Sequence, residues 1–239
     1  IVITAVVGEK GRGADGDVIA WRSLDGGRTW SAGQAVNDVP ASAREGLHAM
    51  TAGAKGLLFA TWLDLRKKGT RLYGSTSADD GATWSPNTLV YESPSCSVCE
   101  CCHPSASTDE QGRLFVMFRN SLEGTRDMYL VRSEDGGKTF GRAAKLGSGT
   151  WKLNACPMDG GAVLALPGGG ARGAGAGGLG RGVGGGGAGE ADAGFAGHIG
   201  PDTGGTMSFF KAAARLAGVA GWLLGWRPDE FWRATPAGL

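Results

Sequence analysis

The stretch Ser-Leu-Asp-Gly-Gly-Arg-Thr-Trp at residues 23–30 recurs twice along the chain and decides its fold class. The copies read Ser-Ala-Asp-Asp-Gly-Ala-Thr-Trp at residues 77–84 and Ser-Glu-Asp-Gly-Gly-Lys-Thr-Phe at residues 133–140. Their spacing of about fifty-five residues indicates an architecture built from repeated modules of that length.

Each copy has the chemistry of a tight corner between two strands. The aspartate at the third position can accept hydrogen bonds from the backbone amides that follow it, as in an Asx-turn. The glycine at the fifth position supplies the positive φ that a tight turn requires. The closing aromatic residue then begins a new strand with a large apolar anchor. We therefore predict a hairpin corner in each module.

This pattern resembles the Asp-box, or bacterial neuraminidase repeat, of the sialidase-like β-propellers, and the resemblance covers residues 1–166. It implies an all-β fold of four-stranded blades. In that family the Asp-box is a structural turn remote from the active site, and it also occurs in propellers that are not sialidases. None of the box residues is therefore predicted to be catalytic.

Short runs of β-branched and aromatic residues between the boxes predict the strands of each blade. The predicted strands are 2–7 and 18–21 in the first module, 48–52, 57–62 and 72–75 in the second, and 104–107, 114–118 and 128–131 in the third. A fourth module begins at residue 156 and stops near residue 166. Because propellers close with about four to eight blades, we predict a partial sialidase-like propeller of about three four-stranded blades.

Two further segments differ from the all-β part in composition. Residues 167–206 contain 19 of the 45 glycines and have little to bury, so we predict a disordered segment. A natural flexible linker and a frameshifted reading of a GC-rich gene both fit this composition. Residues 207–239 place apolar side chains at helical spacing, which predicts a short helical tail. This tail resembles the small phage-like tail assembly chaperones of gene transfer agents.

The overall composition narrows the classes of partner. The net charge is +1, which argues against nucleic acid or an anionic membrane as an obligate partner. The helix predicted in the tail is too short to span a bilayer. The chain begins in the middle of a predicted strand, without Met or a signal peptide. We therefore expect a fragment, and we favour an extracytoplasmic location for the full-length protein.

Strand alternation predicts which segments share the ligand-binding face of the propeller. Because the Asp-box joins the third and fourth strands of a blade, the loops after second strands lie at the opposite end, with the starts of inner strands. Propeller ligands bind near the central channel, where the inner strands converge. The candidate face therefore comprises residues 44–50, 64–67, 96–103, 119–127 and 156–158.

One chemistry predicted for this face is glycoside hydrolysis. The resemblance implies three arginines that hold a substrate carboxylate, an aspartate acid/base, and a tyrosine nucleophile polarised by a glutamate. Arginine suits this binding because its planar guanidinium meets a carboxylate with two hydrogen bonds. The residues assigned to these roles are Arg66, Arg119, Asp64 and Glu45 as catalytic residues and Arg44 and Arg126 as substrate-binding residues.

The chain departs from the family's pattern in two places. It lacks the Phe/Tyr-Arg-Ile-Pro motif that carries the first arginine. None of Tyr73, Tyr91 and Tyr129 matches the nucleophile, because all three lie within strands or near the box end. Both features are expected in missing blades. The alternative role for the assigned arginines and carboxylates is that of solvated or blade-bridging charges.

The second predicted chemistry is soft-metal binding. The run Cys-Ser-Val-Cys-Glu-Cys-Cys-His at residues 96–103 packs four thiols and an imidazole into a short loop. Such ligands suit Cu(I) or Zn(II) better than any hard cation. The predicted ligands are Cys99, Cys101, Cys102, His103 and Cys156. One or two disulfides that staple the loop and unpaired thiols are the alternatives.

These observations lead to two main functional hypotheses. The first is an exo-α-sialidase-like glycoside hydrolase that cleaves terminal sialic acid or a related acidic sugar and needs no cofactor for hydrolysis. The second is a non-catalytic propeller that binds Cu, Zn or a protein partner through its cysteine-rich face. An assembly role through the helical tail is a third hypothesis.

Overall fold

The computed structural model describes residues 1–8, 16–155 and 157–175, and the side chains of residues 45 and 46 are outside this description. All of these residues belong to one compact unit. The strands are β1 (Val2–Gly8), β2 (Gly16–Arg22), β3 (Gln34–Ala35), β4 (Ala43–Ala52), β5 (Leu58–Asp64), β6 (Arg71–Ser77), β7 (Thr88–Tyr91), β8 (Ser105–Thr108), β9 (Leu114–Arg119), β10 (Met128–Ser133), β11 (Ala144–Lys145), β12 (Ala162–Ala165) and β13 (Ala171–Ala174). A short 3-10 helix, Ala54–Gly56, lies between β4 and β5.

These strands form consecutive antiparallel meanders, which are the blades of a propeller. Blade 1 consists of β1 to β3, blade 2 of β4 to β7, blade 3 of β8 to β11, and blade 4 of β12 and β13. Blades 1 and 2 also share one backbone pairing, between Gly16 and Ala43. The prediction of an all-β, sialidase-like partial propeller is confirmed, and each predicted strand overlaps an observed one.

Neighbouring blades pack face to face because alternate residues of a strand point to opposite sides of its sheet. Phe59 of β5 packs with Leu114 and Phe118 of blade 3. Trp62 of the same strand belongs instead to the core shared with Val18 of blade 1. The residues of β9 that point away from blade 2 pack in the same way against blade 4. Burial of these apolar side chains is the main force that holds the blades together.

Each Asp-box closes the corner between the last two strands of its blade, as predicted. In the second box, the Asp79 carboxylate accepts hydrogen bonds from the backbone N–H of Thr83 at 2.9 Å and from its hydroxyl at 2.6 Å. The Ser77 hydroxyl donates to Asp79 at 2.7 Å and accepts from the N–H of Gly81 at 2.8 Å. The other two boxes repeat these bonds. The φ of Gly81 is +81°, which favours glycine.

The Asp-box corners fix one end of the blades, so the long loops lie at the other end. The inner strands of blades 2, 3 and 4 lie side by side, because β4 contacts β8 and β8 contacts β12. We name the end away from the boxes the loop face. It comprises residues 36–42, 64–70, 93–104, 119–127, 146–155 and 157–161.

The propeller extends beyond the segment to which the sequence assigns it. β12 pairs with β13 between Ala162 and Ala174, so a strand lies inside the glycine-rich segment predicted over residues 167–206. This pairing is made by backbone groups, which need no large side chain. The remainder of that segment and the predicted helical tail at 207–239 lie outside the described residues. In the described part of the chain, no helix is long and apolar enough to cross a membrane.

Replacing Phe59 with alanine is expected to lower the free energy of unfolding by about 3–5 kcal/mol. The change removes a fully buried ring from the core between blades 2 and 3. Leu89→Ala is the matched control, because Leu89 is 42 % exposed, and it should cost about 0.5 kcal/mol or less. Urea unfolding of the full chain, followed by tryptophan fluorescence, measures both. Equal losses would contradict the assignment of this core.

Acid is expected to weaken the Asp-box corners over a defined range of pH. Hydrogen bonds from the side chains of Thr29 and Thr83 are the largest cause that lowers the pKa values of Asp25 and Asp79 from 3.8 to about 2. Because the folded pKa lies below the unfolded pKa, this stabilisation is complete above about pH 4 and is lost as the pH falls toward about 2.

Urea midpoints of the full chain, measured at several values between about pH 5 and pH 2, test this expectation. The double variant Asp25→Asn, Asp79→Asn should show a flatter pH profile than the wild type. Glu110→Gln, which changes an exposed carboxylate in another turn, should leave the profile unchanged. If the double variant had the wild-type pH profile, protonation of Asp25 and Asp79 would not be what weakens the fold in acid.

Candidate functional site

The loop that precedes blade 3 is the central element of the loop face. This cysteine loop, residues 93–104, carries the run of thiols seen in the sequence. The N–H of Val98 donates to the carbonyl of Thr70 at 3.0 Å, and the N–H of Cys99 donates to the carbonyl of Arg119 at 3.0 Å. Val98 is also buried in the core between blades 2 and 3. Backbone hydrogen bonds and packing therefore hold the loop to both blades.

A buried polar network fixes the base of the cysteine loop. The Ser93 hydroxyl donates to Oδ1 of Asn120 at 2.8 Å, and the Asn120 amide donates to the Tyr91 hydroxyl at 2.8 Å. The N–H of Thr70 donates to the Ser97 hydroxyl at 3.1 Å. Asn120 is fully buried, and a buried amide with satisfied hydrogen bonds helps to specify a single conformation.

Three sulfur atoms of the cysteine loop form a compact cluster, which we name the sulfur triangle. The Sγ atom of Cys99 lies 3.5 Å from that of Cys101 and 3.6 Å from that of Cys102, and the last two are 4.0 Å apart. Cys101 is disulfide-bonded, whereas Cys96, Cys99 and Cys102 are free thiols. Cys99 and Cys102 are buried, while Cys96 is exposed. A disulfide and free thiols thus coexist in the predicted metal-binding run.

The other two predicted metal ligands do not belong to the sulfur triangle as described. His103 is exposed, and its ring lies beside Gly160. The group of potential ligand atoms that lie within 4.8 Å of one another contains the three cysteines and not His103. Cys156 lies outside the described residues. The predicted metal site remains a prediction, with Cys99, Cys101 and Cys102 as its described core.

The hydrogen bond between the thiols of Cys99 and Cys102 separates their pKa values. More than any other contact, this bond lowers the pKa of Cys99 from 9.0 to about 6, although burial opposes the change. The Cys101 amide and the charges of Arg126 and Arg119 add to the lowering. The same bond, followed by burial, raises the pKa of Cys102. Cys99 is therefore the thiol of the pair that ionises first.

Arg119 lies next to the cysteine loop and connects blade 3 to the segment before β12. Its side chain is fully buried. The Nε atom donates to the carbonyl of Asp159 at 3.1 Å, and Nη2 lies 3.4 Å from the carboxylate of the same residue. Nη1 donates to the carbonyl of Arg126. The guanidinium carbon also lies 5.1 Å from the centre of the Trp151 ring. These contacts bind Arg119 to other protein groups, and its predicted catalytic role stays a prediction.

Two further arginines border the cysteine loop and are closer to solvent. Arg44, at the start of β4, forms an ion pair of 3.6 Å with Glu100, and the two side chains are 30 % and 50 % exposed. Arg126 donates from Nη1 to the Ser121 hydroxyl. Its Nε atom is buried and has no hydrogen-bond partner among the described residues. A buried donor without a partner is costly unless water or a ligand satisfies it.

The structure divides the residues predicted for glycoside hydrolysis into two groups. Arg44, Arg119 and Arg126 come from different segments of the chain and gather around the cysteine loop. Asp64 and Arg66 belong to a separate network at the end of β5. The side chain of Glu45 is outside the description.

Asp64 and Arg66 are bound by other protein groups. Asp64 is 1 % exposed and accepts hydrogen bonds from Nε1 of Trp62 at 2.8 Å and from the Ser42 hydroxyl at 3.0 Å. Arg66 donates to the two oxygens of Asp64 at 2.8 and 2.9 Å and to Asp38 at 2.8 Å. This network ties the segment before β4 to the end of β5. Asp64 and Arg66 thus have a structural role in this network. Their catalytic roles stay predictions.

Sequence reasoning did not identify Trp151 and Asp159 as parts of the loop face, and it gave no role to Glu100, which lies in the predicted range 96–103. Asp159 is within the segment that precedes an inner strand, so the repeat could have revealed it. Glu100 lies between Cys99 and Cys101, and no motif indicates that it pairs with Arg44. Trp151 lies in the irregular segment between β11 and β12, where no periodic pattern indicates its position.

The sequence pattern of the BNR repeat-like domain matches residues 1–166. No curated protein matches the chain significantly. Among similar solved structures, an alpha-L-arabinanase of Penicillium chrysogenum complexed with arabinobiose is 16 % identical, with a TM-score of 0.48, over 72 % of this chain and 52 % of that one.

Two sialidases are also among the similar structures. The Hadza microbial sialidase Hz136 is 16 % identical, with a TM-score of 0.42, over 64 % of this chain and 44 % of that one. The leech intramolecular trans-sialidase is 15 % identical, with a TM-score of 0.46, over 66 % and 24 %. The chain thus spans about half of the arabinanase and less of the two sialidases.

Asp64→Ala is expected to lower the free energy of unfolding by about 3–5 kcal/mol, because it leaves a largely buried arginine without its main partner. Asp38→Ala removes the exposed partner of the same arginine, with 46 % of its side chain in solvent, and should cost about 1 kcal/mol or less. Urea unfolding of both variants of the full chain measures the difference. A fully stable Asp64→Ala variant would contradict the structural role of this ion pair.

Proposed function

The chain belongs to the family of BNR repeat-like domains, and from that premise we propose that its loop face binds an acidic sugar. The activity proposed for the full-length protein is that of an exo-α-sialidase-like glycoside hydrolase that releases terminal sialic acid. The observation that carries the proposal is the position of Arg44 and Arg126. These arginines come from different blades and border one loop near solvent.

The hydrogen-bonding state of each arginine supports a division of roles. Arg126 is half-buried at the loop face, and its guanidinium would pair with a carboxylate of the substrate. Arg44 is bound to one exposed carboxylate at 3.6 Å, and a solvent-exposed ion pair of this kind is weak enough to exchange its partner. Arg119 is committed to Asp159 and to the Arg126 carbonyl, so it would position the other groups.

The exposure of the carboxylates bears on proton transfer. The side chains of Glu100 and Asp159 are 50 % and 42 % exposed, so both can reach a sugar on the loop face. Asp64 and Glu45 were predicted from the sequence as the carboxylates for proton transfer or polarisation, but Asp64 is 1 % exposed and bound to Arg66. Asp159 is therefore the described carboxylate that we favour as general acid/base. Glu45 keeps its proposed role in proton transfer or polarisation.

The tyrosines favour a second candidate function, which is binding without hydrolysis by this chain. The chain has three tyrosines, and all of them lie in strands. Tyr73 is buried with Arg66 stacked 4.0 Å from its ring centre. The Tyr91 hydroxyl accepts a hydrogen bond from Asn120, and Tyr129 is half-buried in β10. Hydrolysis would require a nucleophile supplied by another part of a longer protein. Binding of the sugar would not require one.

Calorimetric titration of the full chain with sialic acid and with arabinobiose tests the proposed sugar class. Sialic acid should bind, and Arg126→Gln should weaken its binding by about 10–100-fold, because a charged hydrogen bond contributes about 1.5–3 kcal/mol. Arg113→Gln is the matched control. Arg113 pairs with Asp109 in the turn between β8 and β9, at the Asp-box end, and its loss should leave binding unchanged.

Hydrolysis of a fluorogenic sialoside, measured on the same samples, separates the two candidates. Binding with release of the fluorophore supports the hydrolase, and Asp159→Asn should then lower kcat. Binding without release supports the binding module. Preference for arabinobiose over sialic acid, or equal affinity of Arg126→Gln and the wild type, would contradict an acidic-sugar site on the loop face.

A further inference from the structure

The dimensions of the sulfur triangle are close to those of a metal–thiolate centre. Its three sides are 3.5, 3.6 and 4.0 Å long. Thiolates that bind one cation at about 2.3 Å are separated by about 3.8–4.0 Å in tetrahedral or trigonal geometry. Small movements of the side chains would therefore place the sulfur atoms of Cys99, Cys101 and Cys102 around a common centre.

We propose that the sulfur triangle of Cys99, Cys101 and Cys102 is a redox-gated site for one Cu(I) ion, which binds after a thiol has reduced the disulfide at Cys101. Sulfur ligands select soft cations such as Cu(I). The sulfur atoms of Cys99, Cys101 and Cys102 are potential ligand atoms that lie within 4.8 Å of one another. This inference does not rest on the sugar-binding function proposed above, although the two sites share Arg119, Arg126 and Asp159.

The surroundings of the triangle suit negatively charged sulfur. Hydrogen bonds from the backbone of Cys101 and Asp159 reach the sulfur atoms of Cys99 and Cys102, respectively. The positive charges of Arg119 and Arg126 act on the same sulfurs, Arg119 on both and Arg126 on Cys99. Such hydrogen bonds and charges around a site tune its affinity for a metal. Burial of Cys99 and Cys102 also protects the bound ion from water and oxidants.

Cu(I) binding depends on the redox state because Cys101 is bonded in a disulfide. In the disulfide its sulfur shares an S–S bond, carries no thiolate charge, and leaves two thiols for a cation. Two equivalents of a small thiol reduce this bond: they deliver two electrons and two protons, both protein sulfurs become thiols, and the reductant leaves as its own disulfide. Binding of Cu(I) then displaces thiol protons without any change in oxidation state.

The cysteine loop offers a matched internal control. Cys96 is a free thiol in the same loop, but it is exposed and is not part of the triangle. A non-specific thiol effect would involve Cys96 as much as the others. Cu(I) binding at a site of the proposed geometry would require Cys101 and Cys102 and would not require Cys96.

Anaerobic titration of the reduced full chain with Cu(I), in competition with bathocuproine disulfonate, tests the proposal. One equivalent should bind, and the oxidised chain should bind at least about tenfold more weakly. The reduced Cys101→Ser and Cys102→Ser variants should also bind Cu(I) at least about tenfold more weakly than the reduced wild type. The affinity of Cys96→Ser should equal that of the wild type. Circular dichroism verifies that each variant is folded.

X-ray absorption of the copper-loaded wild type gives a measurement that needs no variant. Three sulfur neighbours at about 2.3 Å support the triangle. Failure of the reduced chain to retain Cu(I) against the chelator, or equal losses for Cys96→Ser and Cys101→Ser, would overturn the proposal. Stoichiometric Zn(II) binding that Cu(I) cannot displace would overturn the assignment of the ion.

Discussion

A single carboxylate in each box holds the corner on which the geometry of the blades depends. Asp25, Asp79 and Asp135 each bind the backbone N–H and the hydroxyl of the threonine four residues later. These bonds connect groups that are close in sequence, so each corner can form independently of the other blades. Once one end of each blade is closed in this way, antiparallel pairing leaves the other end for longer loops. The protein therefore has one end formed by repeated Asp-box corners and an opposite end, the loop face, formed by loops that differ between blades.

At the loop face, the longer loops connect neighbouring blades. Its cysteine loop is bonded to blade 2 through the carbonyl of Thr70 and to blade 3 through that of Arg119. Arg119 in turn holds Asp159, in the segment before blade 4. Groups from three blades therefore meet at one loop, and small displacements between blades would disturb all of them. Such convergence of rigid elements is what positions functional side chains accurately.

The sequence was sufficient to predict those parts of the structure that depend on local pattern. The Asp-box corners, the strands between them and the location of Arg44, Arg119 and Arg126 on one face follow from a repeat and from strand alternation. The partners of Asp64 and Arg66 could not be predicted, because Asp38 and Ser42 reach them through chain folding rather than through any motif.

The sequence left a metal, disulfides and unpaired thiols as alternatives for the cysteine run, and it could not assign the disulfide to Cys101 or the free thiols to its neighbours. Hydrogen exchange of the full chain, resolved by mass spectrometry over residues 93–104, tests most directly whether this loop is a rigid joint between blades. The amides of Val98 and Cys99 should be protected as strongly as those of β9, because both donate to backbone carbonyls. Exchange as fast as that of an exposed turn would contradict the account.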